Sequence, residues 1–243
     1  MQECTVLIGG KAGEGINVAG STIARILTRC GYHTYISYDY PSLIRGGHNF
    51  SLIRAAERPV YTHRDRVDFI CALNQDCLSQ HTHRITDATV VVYDTNAVQS
   101  GTGVGVNLYQ IFTEEKAPHI TRNSGIIAMF CRAAGIPWAM FEEVLRKSIP
   151  KQVEVNLRVA RRAYDGAQEV RPIPRTDPLP WPVLTGNEAI GLGLVAAGLS
   201  TYYAYPMTPT SSLLHFLAGA AGEFGITVVH PENEIGVMLM ALG

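Results

Sequence analysis

The sequence predicts an α/β protein: an open, largely parallel sheet, then a proline-rich linker, then the start of a second α/β domain. Two patterns carry that prediction. Short apolar runs alternate with stretches of helical periodicity, as they do in βαβ units. Between these patterns lies VRPIPRTDPLPWPV, with prolines at Pro172, Pro174, Pro178, Pro180 and Pro182. Proline fixes φ and lacks an amide hydrogen, so neither a helix nor a central strand forms there. The expected divisions are residues 1–169, a linker at 170–183 and an incomplete second domain at 184–243.

In chain order, Glu3–Gly9 is an apolar run ending in glycines and reads as a strand. A helix should follow, because Ile16, Ala19, Gly20, Ile23, Leu27 and Cys30 fall on one helical face. Gly31 should end it as a C′ glycine. Strands are expected at His33–Tyr38, Asp68–Leu73 and Thr89–Asp94, the last a branched apolar run suited to burial on both faces. Helices are expected at Asn123–Ala134, Pro137–Ile149 and Val153–Ala167, with Pro137 at the first helical position. After the linker, Asn187–Leu199 reads as a helix of small residues and Thr201–Tyr205 as a strand. A helix at Pro209–Gly222, a strand over ITVVH and a helix from Glu232 complete the pattern. The chain ends inside that last helix, about 60 residues into a domain that usually needs about 100, so truncation is the expectation.

Bulk properties narrow the function. Of 243 residues, 47% are apolar and 17% charged, enough to build a core rather than a disordered chain. A net charge of −1 with no basic stripe argues against nucleic acid and against an anionic membrane surface. No run of about 18 apolar residues is present, so no membrane span is expected. Cys4, Cys30, Cys71, Cys77 and Cys131 form no C-x-x-C pair, which reads as free thiols in a cytoplasmic protein and not as a metal site.

Four segments could carry chemistry. Gly9-Gly10-Lys11-Ala12-Gly13-Glu14-Gly15 joins a strand to a helix, where backbone amides and the helix N-terminus favour an anion. Its spacing is neither G-x-G-x-x-G nor a P-loop, and a plain tight turn explains it equally. Asp39 could bind a ribose or simply sit in a turn. Tyr40 to Asn49 sets Arg45 beside Gly46 and Gly47, an anion-recognising fork on a loop, or an ordinary surface loop. Tyr205-Pro206-Met207-Thr208-Pro209-Thr210-Ser211-Ser212 crowds hydroxyls at a helix start. Capping accounts for them, or Thr208 faces a substrate carboxylate at the carboxyl end of a strand. His230-Pro231-Glu232-Asn233-Glu234-Ile235-Gly236 sets two acids at a helix start, which suits the macrodipole. Glu234, followed by Ile-Gly-Val-Met, is expected to turn toward the apolar side, where burial would raise its pKa into the range of a proton donor and acceptor.

YPMTPTSS, followed after a helix and a strand by ENEIGVM, resembles the pyrimidine-binding domain of 2-oxoacid:ferredoxin oxidoreductases. GGKAGEG and YPSLIRGGHNFSLIR resemble the gamma domain of the same family. Gamma domain, linker and TGNEAIGLGLVAAG in that order are similar to its fused alpha subunits, especially the 2-oxoglutarate type. The resemblance covers essentially the whole chain.

It implies a thiamine diphosphate enzyme that decarboxylates a 2-oxoacid such as 2-oxoglutarate or pyruvate, passes electrons through iron–sulfur clusters to ferredoxin, and transfers the acyl group to coenzyme A. It implies that Glu234 hydrogen-bonds N1′ of the aminopyrimidine, with Glu232 as its rival, that Thr208 binds the substrate carboxylate, and that Pro206 belongs to the cofactor pocket. Gly10, Gly13, Gly15, Arg45, Gly46 and Gly47 would lie near coenzyme A or the cofactor entrance. The magnesium and diphosphate segment and the iron–sulfur cysteines, which this chain lacks, would sit on a separate beta subunit in a hetero-oligomer, leaving these 243 residues inactive alone. Alternatives are an indolepyruvate or branched-chain 2-oxoacid enzyme, a non-catalytic scaffold subunit, and a dinucleotide-binding protein built on Gly9–Gly15.

Overall fold

The computed structural model describes residues 3–39, 47–149, 151–176 and 181–243. They form two compact units, residues 1–183 and 184–243. Arg45 and Gly46 lie outside the described residues, as do Pro178 and Pro180.

In the first unit the strands are β1 (Glu3–Lys11), β2 (His33–Asp39), β3 (His48–Ala56), β4 (Phe69–Ala72), β5 (Val90–Asp94) and β6 (Val104–Val106), in sheet order β2-β3-β1-β4-β5-β6. β1, β4, β5 and β6 pair in parallel. β3 runs antiparallel to both β1 and β2, so the other strands share one direction and the sheet is largely parallel, as expected. The helices are α1 (Ile16–Arg29), α2 (Gln75–Gln80), α3 (Leu108–Glu114), α4 (Arg122–Ala133), α5 (Trp138–Ser148) and α6 (Val153–Gly166).

Strand alternation sorts the core onto two faces. Val6, Ile8, Phe69, Cys71, Val90 and Val92 pack with α1, α3, α4, α5 and α6. Their neighbours Leu7, Ile70, Ala72 and Val91 pack on the other side with Cys77 of α2 and Val98. Both faces are covered, which is why these strands read as unbroken apolar runs. Helix α1 comes close enough to the sheet that a Cβ on Gly20 would lie 2.5 Å from Cβ of Ser51. It ends as expected: Gly31, at φ 95°, donates to Thr28 O, and Tyr32 N–H donates to Leu27 O.

Some sequence expectations are corrected. Pro137 is the N-cap of α5 in extended backbone, not its first helical residue. The expected second-unit elements shorten: α7 is Gly186–Ala196, β7 Thr201–Tyr203, α8 Ser211–Gly219, α9 Ala221–Phe224, β8 Thr227–Val229 and α10 Glu234–Leu242. Thr185 and Glu188 form a reciprocal capping box at the start of α7.

The first part of the proline-rich stretch is strapped to the first unit. Val170 and Arg171 donate from their amides to Ala133 O, Ile173 to Ala134 O and Thr176 to Cys30 O. The Tyr32 hydroxyl donates to Pro174 O at 2.7 Å, and Arg171 pairs with Asp68 at 2.8 Å.

Candidate functional site

In the first unit, β1 leads through α1 to β2 on one side of the sheet, while β4 lies on its other side. The carboxyl ends of β1 and β4 therefore flank the topological switch point, where open sheets bind ligands. The glycine turn stands there. Gly10 is still within β1, and a Cβ on it would lie 2.7 Å from Glu14 Oε2 and 2.9 Å from Ile16 Cδ1. Gly13 and Gly15 have φ of 87° and 73°, and Gly15 is the left-handed N-cap of α1. Those angles favour glycine, which accounts for the motif locally. Gly47, at φ 100°, accepts the Ala12 amide at 3.1 Å, so the segment after Gly46 is tied to this turn. The Glu14 carboxylate accepts the Lys11 amide at 2.9 Å. The turn thus carries an acid of its own, which opposes a second anion at that amide.

Two polar pairs, one buried and one partly buried, flank the turn, and neither was singled out from sequence. Arg122 opens α4, reaches Asp94 at 3.5 Å and donates to Leu73 O and to His119. The other oxygen of Asp94 accepts the amides of Asn96 and Leu108, tying the ends of β4 and β5 to the starts of α3 and α4. His48, the first residue of β3, meets His81 with Nε2 atoms 2.9 Å apart. Burial pushes the His81 imidazole down to about 4, helped by His48, Arg84 and His83. Burial also lowers His48, against the opposing pull of Asp76 and Asp39. All five cysteines are buried as free thiols, and burial raises each of them, Cys30 to about 11.

In the second unit β7 and β8 are parallel, with Tyr202 beside Val228, so their carboxyl ends lie together. The Ala204 amide extends the pairing to Val229 O at 3.1 Å. Beyond it the Tyr205 and His230 rings lie 6.1 Å apart. The structure thus brings the Tyr205–Thr208 and His230–Glu234 segments to one sheet edge. Pro206 is half-buried and Thr208 exposed. Thr210 is the N-cap of α8, but its hydroxyl donates to Met207 O and caps no helix amide. Asn187 fixes the turn from α7, donating to Pro209 O at 2.9 Å and to the Ser212 hydroxyl. Asn233 caps α10 by accepting the Gly236 amide at 2.8 Å, so Glu234 is spared that duty.

Glu234 is exposed, which corrects the expectation that it turns into an apolar interior. The apolar side of α10 is itself bare: Ile235 is 72% exposed and Leu239 64%. Glu232 precedes the helix and is exposed as well.

Residues 5–166 match the family described as "Pyruvate ferredoxin/flavodoxin oxidoreductase". Residues 192–243 match "Pyruvate flavodoxin/ferredoxin oxidoreductase, thiamine diP-bdg". The whole chain is 22% identical to 49% of subunit alpha of 2-oxoacid:ferredoxin oxidoreductase 2 of Aeropyrum pernix. The chain thus spans about half the length of the curated relatives it matches. The fold is similar to that of a 2-oxoglutarate:ferredoxin oxidoreductase from Magnetococcus marinus, solved with 2-oxoglutarate, coenzyme A and succinyl-CoA bound. The TM-score is 0.79 at 24% identity, over 100% of this chain and 46% of that one. Pyruvate oxidoreductase subunit PORC of Thermotoga maritima aligns over 97% of its own length and 68% of this chain, with a TM-score of 0.57 at 18% identity.

Proposed function

The chain belongs to the pyruvate ferredoxin/flavodoxin oxidoreductase family, and from that premise we propose that it is part of a thiamine-diphosphate-dependent 2-oxoacid:ferredoxin oxidoreductase. The proposed reaction is oxidative decarboxylation of a 2-oxoacid to an acyl-CoA, with electrons passed to ferredoxin. The observation that carries it is the succession on one chain of the match at 5–166 and the thiamine-diphosphate-binding match at 192–243. The 2-oxoglutarate bound in the Magnetococcus relative favours that substrate.

Thiamine diphosphate, when bound, supplies the nucleophilic carbon for the decarboxylation. The second unit fits it in one respect that matters chemically. Asn233 caps α10, and the exposed Glu234 carboxylate makes no hydrogen bond or ion pair among the described residues. In the proposed mechanism Glu234 exchanges a proton with N1′ of the aminopyrimidine. Thr208 donates its hydroxyl to the substrate carboxylate, and Pro206 backs the ring. Gly10, Gly13, Gly15 and Gly47, with Arg45 and Gly46, are proposed to border coenzyme A or the cofactor entrance.

Among the described residues no group of three or more His, Cys, Asp or Glu side chains is placed to hold a metal ion. We propose that magnesium and the iron–sulfur cluster belong to a beta subunit, in a hetero-oligomer of the cytoplasm. No helix of the described residues is long and apolar enough to cross a membrane.

The test is Glu234→Gln in the assembled complex. The amide keeps the shape but relays no proton, so turnover should fall about 100-fold or more while the circular dichroism spectrum stays unchanged. Full turnover in that variant would move the role to Glu232 or remove the assignment.

A further inference from the structure

A cavity of about 250 Å³ lies in the first unit between the start of α1, the start of α4, the end of α5 and the start of α6. It is lined wholly by first-unit residues, Gly15 of the glycine turn among them. Val18, Ala19, Ile120, Ile127, Leu145 and Ile149 give it apolar walls. Its polar floor is the buried Ser124–Asn156 pair, with the Ser124 hydroxyl donating to Asn156 Oδ1 at 2.8 Å. Asn156 in turn donates to Gln152 O at 3.0 Å, so that floor is anchored from below.

The charges around the cavity are one-sided. Lys151 is the one charged side chain in its lining; it is exposed and makes no ion pair among the described residues. The Arg25 guanidinium lies behind the rim, donating to the Ser148 hydroxyl at 3.3 Å. Among the described residues no carboxylate lines the space. Gln152, also in the lining, holds a left-handed backbone at φ 54°, a conformation that side-chain-bearing residues avoid and that gathers at ligand sites. The space opens to solvent past the exposed Val18, Ile120 and Lys151, so a ligand can enter it.

We propose that this cavity binds a small amphipathic anion: a monocarboxylate whose apolar body fills the walls and whose carboxylate meets Lys151. At roughly 30 Å³ per heavy atom, the share one water occupies, the volume suits a ligand of about eight heavy atoms. Hexanoate is a probe of that size and charge.

The experiment is a titration of the full chain with hexanoate, followed by amide chemical shifts in two-dimensional NMR. Saturable shifts are expected at Val18, Asn123, Ile127 and Gln152. Hexylamine, with the same body and the opposite charge, should bind at least tenfold more weakly. Lys151→Glu should weaken hexanoate about tenfold, and Val18→Trp, which fills the mouth from an exposed position, should abolish the shifts. Equal binding of the amine, an unchanged affinity in Lys151→Glu, or shifts centred elsewhere would each overturn the proposal. Saturation of these residues in a chain whose assembled complex fails the Glu234 test would leave this site standing on its own.

Discussion

At the scale of single residues, local backbone chemistry was legible and long-range pairing was not. Gly13 and Gly15 could be placed in a turn because glycine takes left-handed angles at no steric cost. The His48–His81 pair and the Arg122–Asp94 pair could not, since each joins residues 33 and 28 positions apart that only the sheet brings together. Glu234 was expected to be buried because Ile235 and Met238 follow it, yet an apolar sequence buries a neighbour only when something covers it. The histidine pair has a consequence for pH. The folded state holds His81 near 4 against an ordinary value of 6.5, so the unfolded chain binds more protons between those values. Its contribution to stability is therefore complete above about pH 6.5 and is lost as the pH falls toward 4. His81→Phe keeps a ring beside Phe50 but cannot titrate. Thermal melts from pH 7 to 4 should show a flatter pH dependence in this variant, together with a loss of about 1–3 kcal/mol at neutral pH from the unpaired His48. An unchanged slope would show that the pair does not set the acid limb.

At the scale of elements, length decided what the sequence revealed. The long helices α1, α4, α5 and α6 and the strands β1 and β5 were expected within a residue or two of their observed bounds. None of the expected strands covered β3, because its start merges with a glycine-rich loop motif that drew the segment into a ligand reading. β6, α2 and α3 are too short to show a periodicity. The proline-rich stretch was read as a linker, and prolines do exclude a helix there. Composition could not show that residues 170–176 are held by the carbonyls of Cys30, Ala133 and Ala134. That strap is testable. Tyr32→Phe removes the hydroxyl that reaches Pro174 and should cost about 1 kcal/mol. Trypsin should then cut after Arg175, which Thr176 follows, several-fold faster than in the parent chain. Equal cutting rates would mean that the backbone bonds alone hold the strap.

At the scale of the whole molecule, the two units differ in how much core each closes. The first buries two large clusters on the two faces of its sheet. The second closes a small one around Leu213, Leu217 and Ile226, and no residue of α10 is buried. Sixty residues bury a smaller share of their surface than a larger domain does, about 60%, which makes for marginal stability. Hydrogen exchange should therefore be graded: amides of β1, β4 and β5 should exchange slowest, and those of α7, β7 and α10 at least tenfold faster. Uniform protection across the chain would contradict this division. The larger unit also has an order built into it by β3. β1, α1 and β2 are consecutive, yet β1 and β2 do not touch; each is hydrogen-bonded to β3 between them. Before residues 48–56 arrive, the first crossover must hold its two strands two sheet spacings apart, about 9.6 Å, with nothing in the gap. The crossover is thus no autonomous kernel. It closes only through a later piece of chain, which acts as the keystone of a half-built arch.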